Sequence, residues 1–141
     1  MKTRLCVLLA IFGFQFSSSA QTKHALIFAI GNYDHWPKIS SLHDVSFIDT
    51  LLTRQDFKDI RIITDQDASM SGICNALNDL INKVNPGDVV VIHFSSHGEQ
   101  VQDDDRNRDE TDGLDESIVT YDAKLPPHRD SQLSRDKYDE F

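Results

Sequence analysis

Asn85-Pro86-Gly87-Asp88-Val89-Val90-Val91-Ile92-His93-Phe94 packs a helix stop, a turn and an unbroken apolar run into one short stretch. Proline next to glycine ends whatever helix precedes it. The run from Val89 to Phe94 is rich in β-branched residues and does not alternate, which predicts a strand covered on both faces. Upstream, Ile73, Leu77, Leu80, Ile81 and Val84 recur at helical spacing and predict a helix from about Ser71. Ile60-Arg61-Ile62-Ile63-Thr64 predicts another strand. Before it, Ser41 is placed to cap a helix whose apolar positions are Leu42, Val45, Ile48, Leu51 and Leu52. His24 to Ile30, ending at Gly31, predicts a first strand that is apolar on both faces. Strands alternating with helices need crossovers, and so a parallel sheet with helices on both sides. The predicted fold class is α/β: a three-layer αβα arrangement on a mostly parallel sheet, incomplete at its C-terminal end.

The ends of the chain read differently. Lys2 and Arg4, the apolar stretch Leu5 to Phe14 and the small residues Ser18-Ser19-Ala20 make a secretory signal pattern over residues 1–20. The apolar stretch is shorter than the roughly 20 residues a spanning helix needs. Cys6 lies inside that stretch, which argues against a lipid anchor. The expectation is an exported protein, secreted or periplasmic, with no membrane association after signal removal. Residues 21–141 suffice for one modest core. Cys74 is then the lone cysteine, expected as a small buried or half-buried thiol, so no internal disulfide staples the domain. The net charge of −9 disfavours nucleic acid as a partner. Most of it sits between Glu99 and Glu116, where nine acids face Arg106 and Arg108. Residues 101–116 are expected as an exposed loop, with Ser117 to Tyr121 returning as a short strand. Beyond Pro126-Pro127 the chain is polar and offers no closing element.

Parallel α/β sheets present their chemistry at the carboxyl ends of strands. Phe94-Ser95-Ser96-His97-Gly98-Glu99-Gln100 stands at such an end. An imidazole there suits proton transfer near neutral pH, and the bare backbone of Gly98 can offer its N–H to a developing oxyanion. No partner nucleophile accompanies them, since Cys74 falls in the second helix, next to Ile73 of its apolar stripe, with nothing resembling a catalytic context.

The order of these motifs resembles the caspase-like cysteine peptidases, and within them the metacaspases. The resemblance rests on the apolar strand followed by Ser-x-His-Gly, on the acidic loop ending Asp112-Gly113-Leu114-Asp115-Glu116, on Ala29-Ile30-Gly31-Asn32-Tyr33 and on Leu42-His43-Asp44-Val45. It spans roughly residues 24–122. It implies that His97 is the catalytic histidine, that Gly98 contributes to the oxyanion hole, and that Asp44 lines a pocket for a basic residue before the cleaved bond. It also implies a peptide or protein substrate, and a nucleophilic cysteine about 50 residues beyond His97, past Phe141. Residues 21–141 would then be the N-terminal portion of a peptidase domain, inactive alone. Two residues depart from the family pattern: Ser96 stands where glycine is usual, and His43 where asparagine precedes the pocket aspartate.

The resemblance implies no required cofactor, but an aspartate at the place of Asp115 contributes to an activating calcium site in metacaspases. Dense hard oxygen ligands suit Ca²⁺. Asp105, Asn107, Asp109 and Glu116 also fall at EF-hand spacing, but Glu110 replaces the required glycine and a strand precedes the loop. Two other classes stay open. A non-catalytic caspase-like binding or regulatory module is favoured by Ser96 and His43. A different α/β hydrolase or nucleotide binder predicts a glycine-rich phosphate loop, which Gly31-Asn32-Tyr33-Asp34 does not provide.

Overall fold

A computed structural model of the chain describes residues 21–102 and 113–125. The signal pattern over residues 1–20, the centre of the acidic segment and the polar tail lie outside the described residues. The first strand, β1 (Lys23–Ala29), is the most deeply buried segment; Ile27, Phe28 and Ala29 have no solvent exposure. It is flanked by β2 (Asp59–Thr64) and β3 (Val89–Ser95), both parallel to it, in the order β2-β1-β3. Phe28 lies level with Ile63 on one side and Phe94 on the other. The central position explains the composition of β1: a strand with neighbours at both edges and helices on both faces has no wet side.

Alternate residues of β1 feed two apolar clusters. Ala25 and Ile27 pack with Leu52 and Phe57, on the side of α1 (Leu42–Arg54). Leu26, Phe28 and Ile30 pack with Ile63, Ile73, Ala76 and Leu80, on the side of α2 (Met70–Lys83). The three-layer αβα arrangement is therefore as expected. The helix faces are narrower than the sequence stripes, since Leu51 on α1 and Ile81 on α2 are exposed.

The caps also differ from expectation. Ser41 has helical backbone angles and its side chain makes no capping bond. Ser69 is the working cap; its hydroxyl accepts the Gly72 N–H at 3.2 Å and starts α2 one residue earlier than predicted. Gly72 has no room for a side chain, because a Cβ would lie 2.0 Å from the Asp67 carbonyl oxygen in the preceding turn.

The expected exposed loop over residues 101–116 is corrected in part. Gly98–Gln102 (β4) and Leu114–Ile118 (β5) form an antiparallel hairpin, with Gln100 opposite Glu116. The return strand thus begins at Leu114 rather than Ser117. Its sequence, with Asp115 and Glu116 at its centre, lacks the apolar alternation that would have announced it. Val119 and Thr120, just after β5, are buried.

The amino ends of the strands are closed by charge. His24, which is buried, sets Nδ1 against the Asp59 carboxylate and Nε2 3.5 Å from that of Asp88. Lys83 Nζ reaches Asp59 at 2.7 Å. The carboxyl ends, where chemistry is expected, are left to the loops.

Candidate active site

His97 occupies the two-residue step between β3 and β4, half-buried. Residues 31–40, which connect β1 to α1, wrap around it. The His97 N–H donates to the Tyr33 hydroxyl oxygen at 2.7 Å. The ring Nε2 lies 3.0 Å from the Pro37 carbonyl oxygen. A carbonyl can only accept, so Nε2 carries the hydrogen, and Nδ1 keeps the lone pair in the neutral ring. The rings of Tyr33 and Trp36 stand 5.0 and 5.5 Å from the imidazole, centroid to centroid, and fix its plane. One loop therefore sets the backbone, the tautomer and the orientation of the histidine.

That loop is itself held. Asp65 follows β2, and its Oδ1 accepts the N–H groups of Gly31 and Asn32, each at 2.9 Å. Its Oδ2 accepts Asn32 Nδ2–H at 2.9 Å. Burial pushes the Asp65 carboxyl up, but the bonds from Asn32 and Gly31 and the charge of Lys38 outweigh it and hold the group below the ordinary carboxylate range. Asp65 has a φ of 45°, a left-handed conformation that costs a non-glycine residue about 1–3 kcal/mol. Gly31 is pinched where the loop closes: a Cβ would lie 3.0 Å from both the Ile39 carbonyl oxygen and Leu42 Cγ.

Asp44 is exposed in the first turn of α1, and its carboxylate accepts the Ser95 hydroxyl at 2.6 Å. Ser95 is the last residue of β3, so Asp44 and His97 are brought to the same rim of the sheet through a shared strand end. Ser96 engages the His97 carbonyl oxygen at 3.2 Å and also hydrogen-bonds Tyr33. Its hydroxyl is thus taken up by the histidine's own support. Gly98 opens β4 and is exposed; a Cβ there would meet only the Ser117 carbonyl oxygen, at an ordinary 3.8 Å. Nothing in the described packing demands a glycine at that position, which leaves its backbone open to an approaching group.

Asp115 stands apart from this rim cluster, half-buried in β5 opposite Val101. Asp105, Asn107 and Asp109 lie outside the described residues. Among the described residues no three His, Cys, Asp or Glu side chains gather as a metal site. Cys74 is exposed on α2, a correction to the expected buried or half-buried thiol: Ile73 and Ala76 take the inward positions beside it. The sequence pointed to His97, Gly98 and Asp44 but gave no sign of Ser95 as the partner of Asp44, or of Tyr33, Pro37 and Asp65 as the support of His97. For Asp65, the left-handed residue at a strand end is a structural signal that composition does not carry.

Comparisons with known proteins show the family of the chain. The caspase domain family matches residues 22–137. Metacaspase-1 of Emericella nidulans is 31% identical over 128 residues, covering 83% of this chain and 31% of that protein. Metacaspase-1A of Neurospora crassa is 28% identical over 127 residues, with 83% and 28% covered. Metacaspase-7 of Arabidopsis thaliana is 36% identical over 78 residues, with 52% and 19% covered. A crystal structure of a Geobacter sulfurreducens protein superposes with a TM-score of 0.60 at 23% identity, over 74% of this chain and 41% of that one, and shares the fold. The chain spans less than a third of the length of the first two of these relatives. With a family match over most of its length, the chain belongs to the caspase domain family, and its curated relatives there are metacaspases.

Proposed function

We propose that these residues supply the acid–base half of a cysteine-type endopeptidase acting on peptides or proteins. The observation that carries the reading is the His97 Nε2–H bond to the Pro37 carbonyl, because it leaves Nδ1 as the free base at the rim. In the proposed reaction a thiol from outside these residues gives its proton to Nδ1, and the thiolate attacks the substrate carbonyl carbon. Nδ1 then returns the proton to the leaving amine as the C–N bond breaks. Water then attacks the acyl carbonyl carbon and loses a proton to Nδ1; the C–S bond breaks, the acid product leaves, and Nδ1 returns the proton to the departing thiolate. The Gly98 N–H faces the oxygen that becomes negative. Asp44, exposed and held by Ser95, favours Arg or Lys before the scissile bond by charge. The protein is exported after removal of residues 1–20. Calcium is an optional ligand through Asp115 and acids of its segment. Among the described residues no helix is long and apolar enough to cross a membrane.

In the longest encoded form of the protein, cleavage of Arg- and Lys-containing peptides should fall by at least about a thousandfold in His97→Ala, as for loss of a general base acting with a nucleophile. Asp44→Asn should raise KM for those peptides more than it lowers kcat. Cleavage at the parental rate by His97→Ala would rule the reading out. A full-length protein that binds peptides without cleaving them would instead make this a binding module on the same fold.

A further inference from the structure

The two groups that grip His97, the Tyr33 hydroxyl and the Pro37 carbonyl, both belong to the connection after β1. That connection is tied at its root to another strand. The Asp65 carboxylate, at the end of β2, takes three hydrogen bonds from Gly31 and Asn32, the two residues immediately before Tyr33. The Ile39 N–H then donates to the Gly31 carbonyl oxygen at 3.0 Å and closes the connection on the same anchored residue. Pro37 lies within that closed segment. A main-chain carbonyl in place of the carboxylate could not satisfy three donors spread over two residues, whereas two carboxylate oxygens can. The left-handed backbone of Asp65 shows that the surrounding structure holds the residue there against its local preference.

We propose that Asp65 is a positioning residue for His97: by fixing Gly31 and Asn32 it sets the loop whose Tyr33 hydroxyl and Pro37 carbonyl hold the backbone and the ring of the histidine. The functional meaning of this relay rests on His97 being the general base; its geometry does not. Asp65 touches no reacting atom. Its effect is to keep Nε2 engaged and Nδ1 free and aimed, so that removing it loosens the base without removing it.

The test is nuclear magnetic resonance on the full ¹⁵N-labelled chain, reading the His97 ring Nε2–H and the His97 backbone amide. In the parent both protons are protected from solvent exchange by Pro37 and Tyr33. In Asp65→Ala both should exchange about tenfold faster or more, while the amides of β1 keep their protection. Asp65→Asn retains an oxygen for the two main-chain donors but sets an NH₂ group against Asn32 Nδ2, and should move both signals part of the way. If the alanine variant does not fold, the asparagine variant decides. His97 signals at parental rates in a folded variant would overturn the proposal; a merely structural anchor would loosen Gly31 and Asn32 and leave the ring Nε2–H unmoved. In the longest encoded form Asp65→Ala should lower kcat with little change in KM. A parent without peptidase activity whose His97 signals still respond to Asp65 would sink the enzymatic reading and leave the relay standing. An active parent with unresponsive signals would do the reverse.

Discussion

Replacing Tyr33 by Phe removes one oxygen and leaves the ring, so the change deletes only the hydroxyl's own bonds, with the His97 N–H and with Ser96. Tyr33 is 7% exposed and part of the apolar cluster on the α2 side of the sheet, and the phenylalanine ring fills the same space without a cavity. What is lost is the acceptor 2.7 Å from the His97 N–H. A buried donor left unpaired costs about 1–3 kcal/mol, and His97 is only half-buried, which places the loss at about 1–2 kcal/mol. That corresponds to an opening equilibrium about 5–30 times more populated. Hydrogen exchange of the His97 amide should accelerate by that factor, and urea denaturation should show the same loss with an unchanged slope. Burial raises the Tyr33 hydroxyl above its ordinary range, although the bonds with His97 and Ser96 pull the other way. A raised value favours the protonated phenol in the folded state. Its contribution is therefore constant below about pH 10 and disappears as pH rises past the folded value. A folded Tyr33→Phe variant with parental His97 exchange would show that the hydroxyl does not hold the histidine.

Acid should weaken the fold. Hydrogen bonds and charge from Lys83 and then His24 lower the Asp59 carboxyl, the Asn85 and Thr22 N–H groups lower Asp88, and the Met70 N–H and Thr120 hydroxyl lower Asp122. A depressed folded value stabilises above the unfolded value of about 3.9 and loses that stabilisation as pH falls through the folded one. The urea midpoint should drop between about pH 4 and pH 2, and a flat profile there would contradict the assignment. In the core, Phe28 is fully buried and stacks on Phe94 with centroids 4.6 Å apart. Phe28→Ala should cost about 3–5 kcal/mol, measured by chemical denaturation. A double-mutant cycle with Phe94→Ala should recover a coupling of about 0.5–1.5 kcal/mol.

The sheet was legible because its strands are nearly all apolar: β1 and β3 stand out against polar turns, and the helix stripes repeat at 3.6-residue spacing. His97 was legible because a histidine at such a strand end is placed at the rim. The hairpin of β4 and β5 was not, since its largely exposed strands are held by main-chain pairing that acidic side chains conceal. Ser41 and Ser69 were indistinguishable as caps from composition. Ser69 alone leaves the helical angles and so turns its hydroxyl to the Gly72 N–H. The support of His97 was hidden for a more general reason. The Pro37 carbonyl is main chain and would be supplied by any residue, so no letter of the sequence reports it. Tyr33 and Asp65 act through contacts that only the folded connection creates.

The placement of β1 in the middle of the sheet has a consequence for biosynthesis. Among the described strands β1 emerges from the ribosome first, yet its partners are made later, and Val89 follows its neighbour Lys23 by sixty-six positions. At translation rates of about 5–20 residues per second, the most apolar strand waits several seconds for its second edge. During that interval β1 and β2 can form only a two-stranded parallel ribbon with one open edge on β1, the kind of surface that chaperones bind and that aggregation exploits. The residues that make the core so dry once folded therefore set the period of greatest exposure during synthesis.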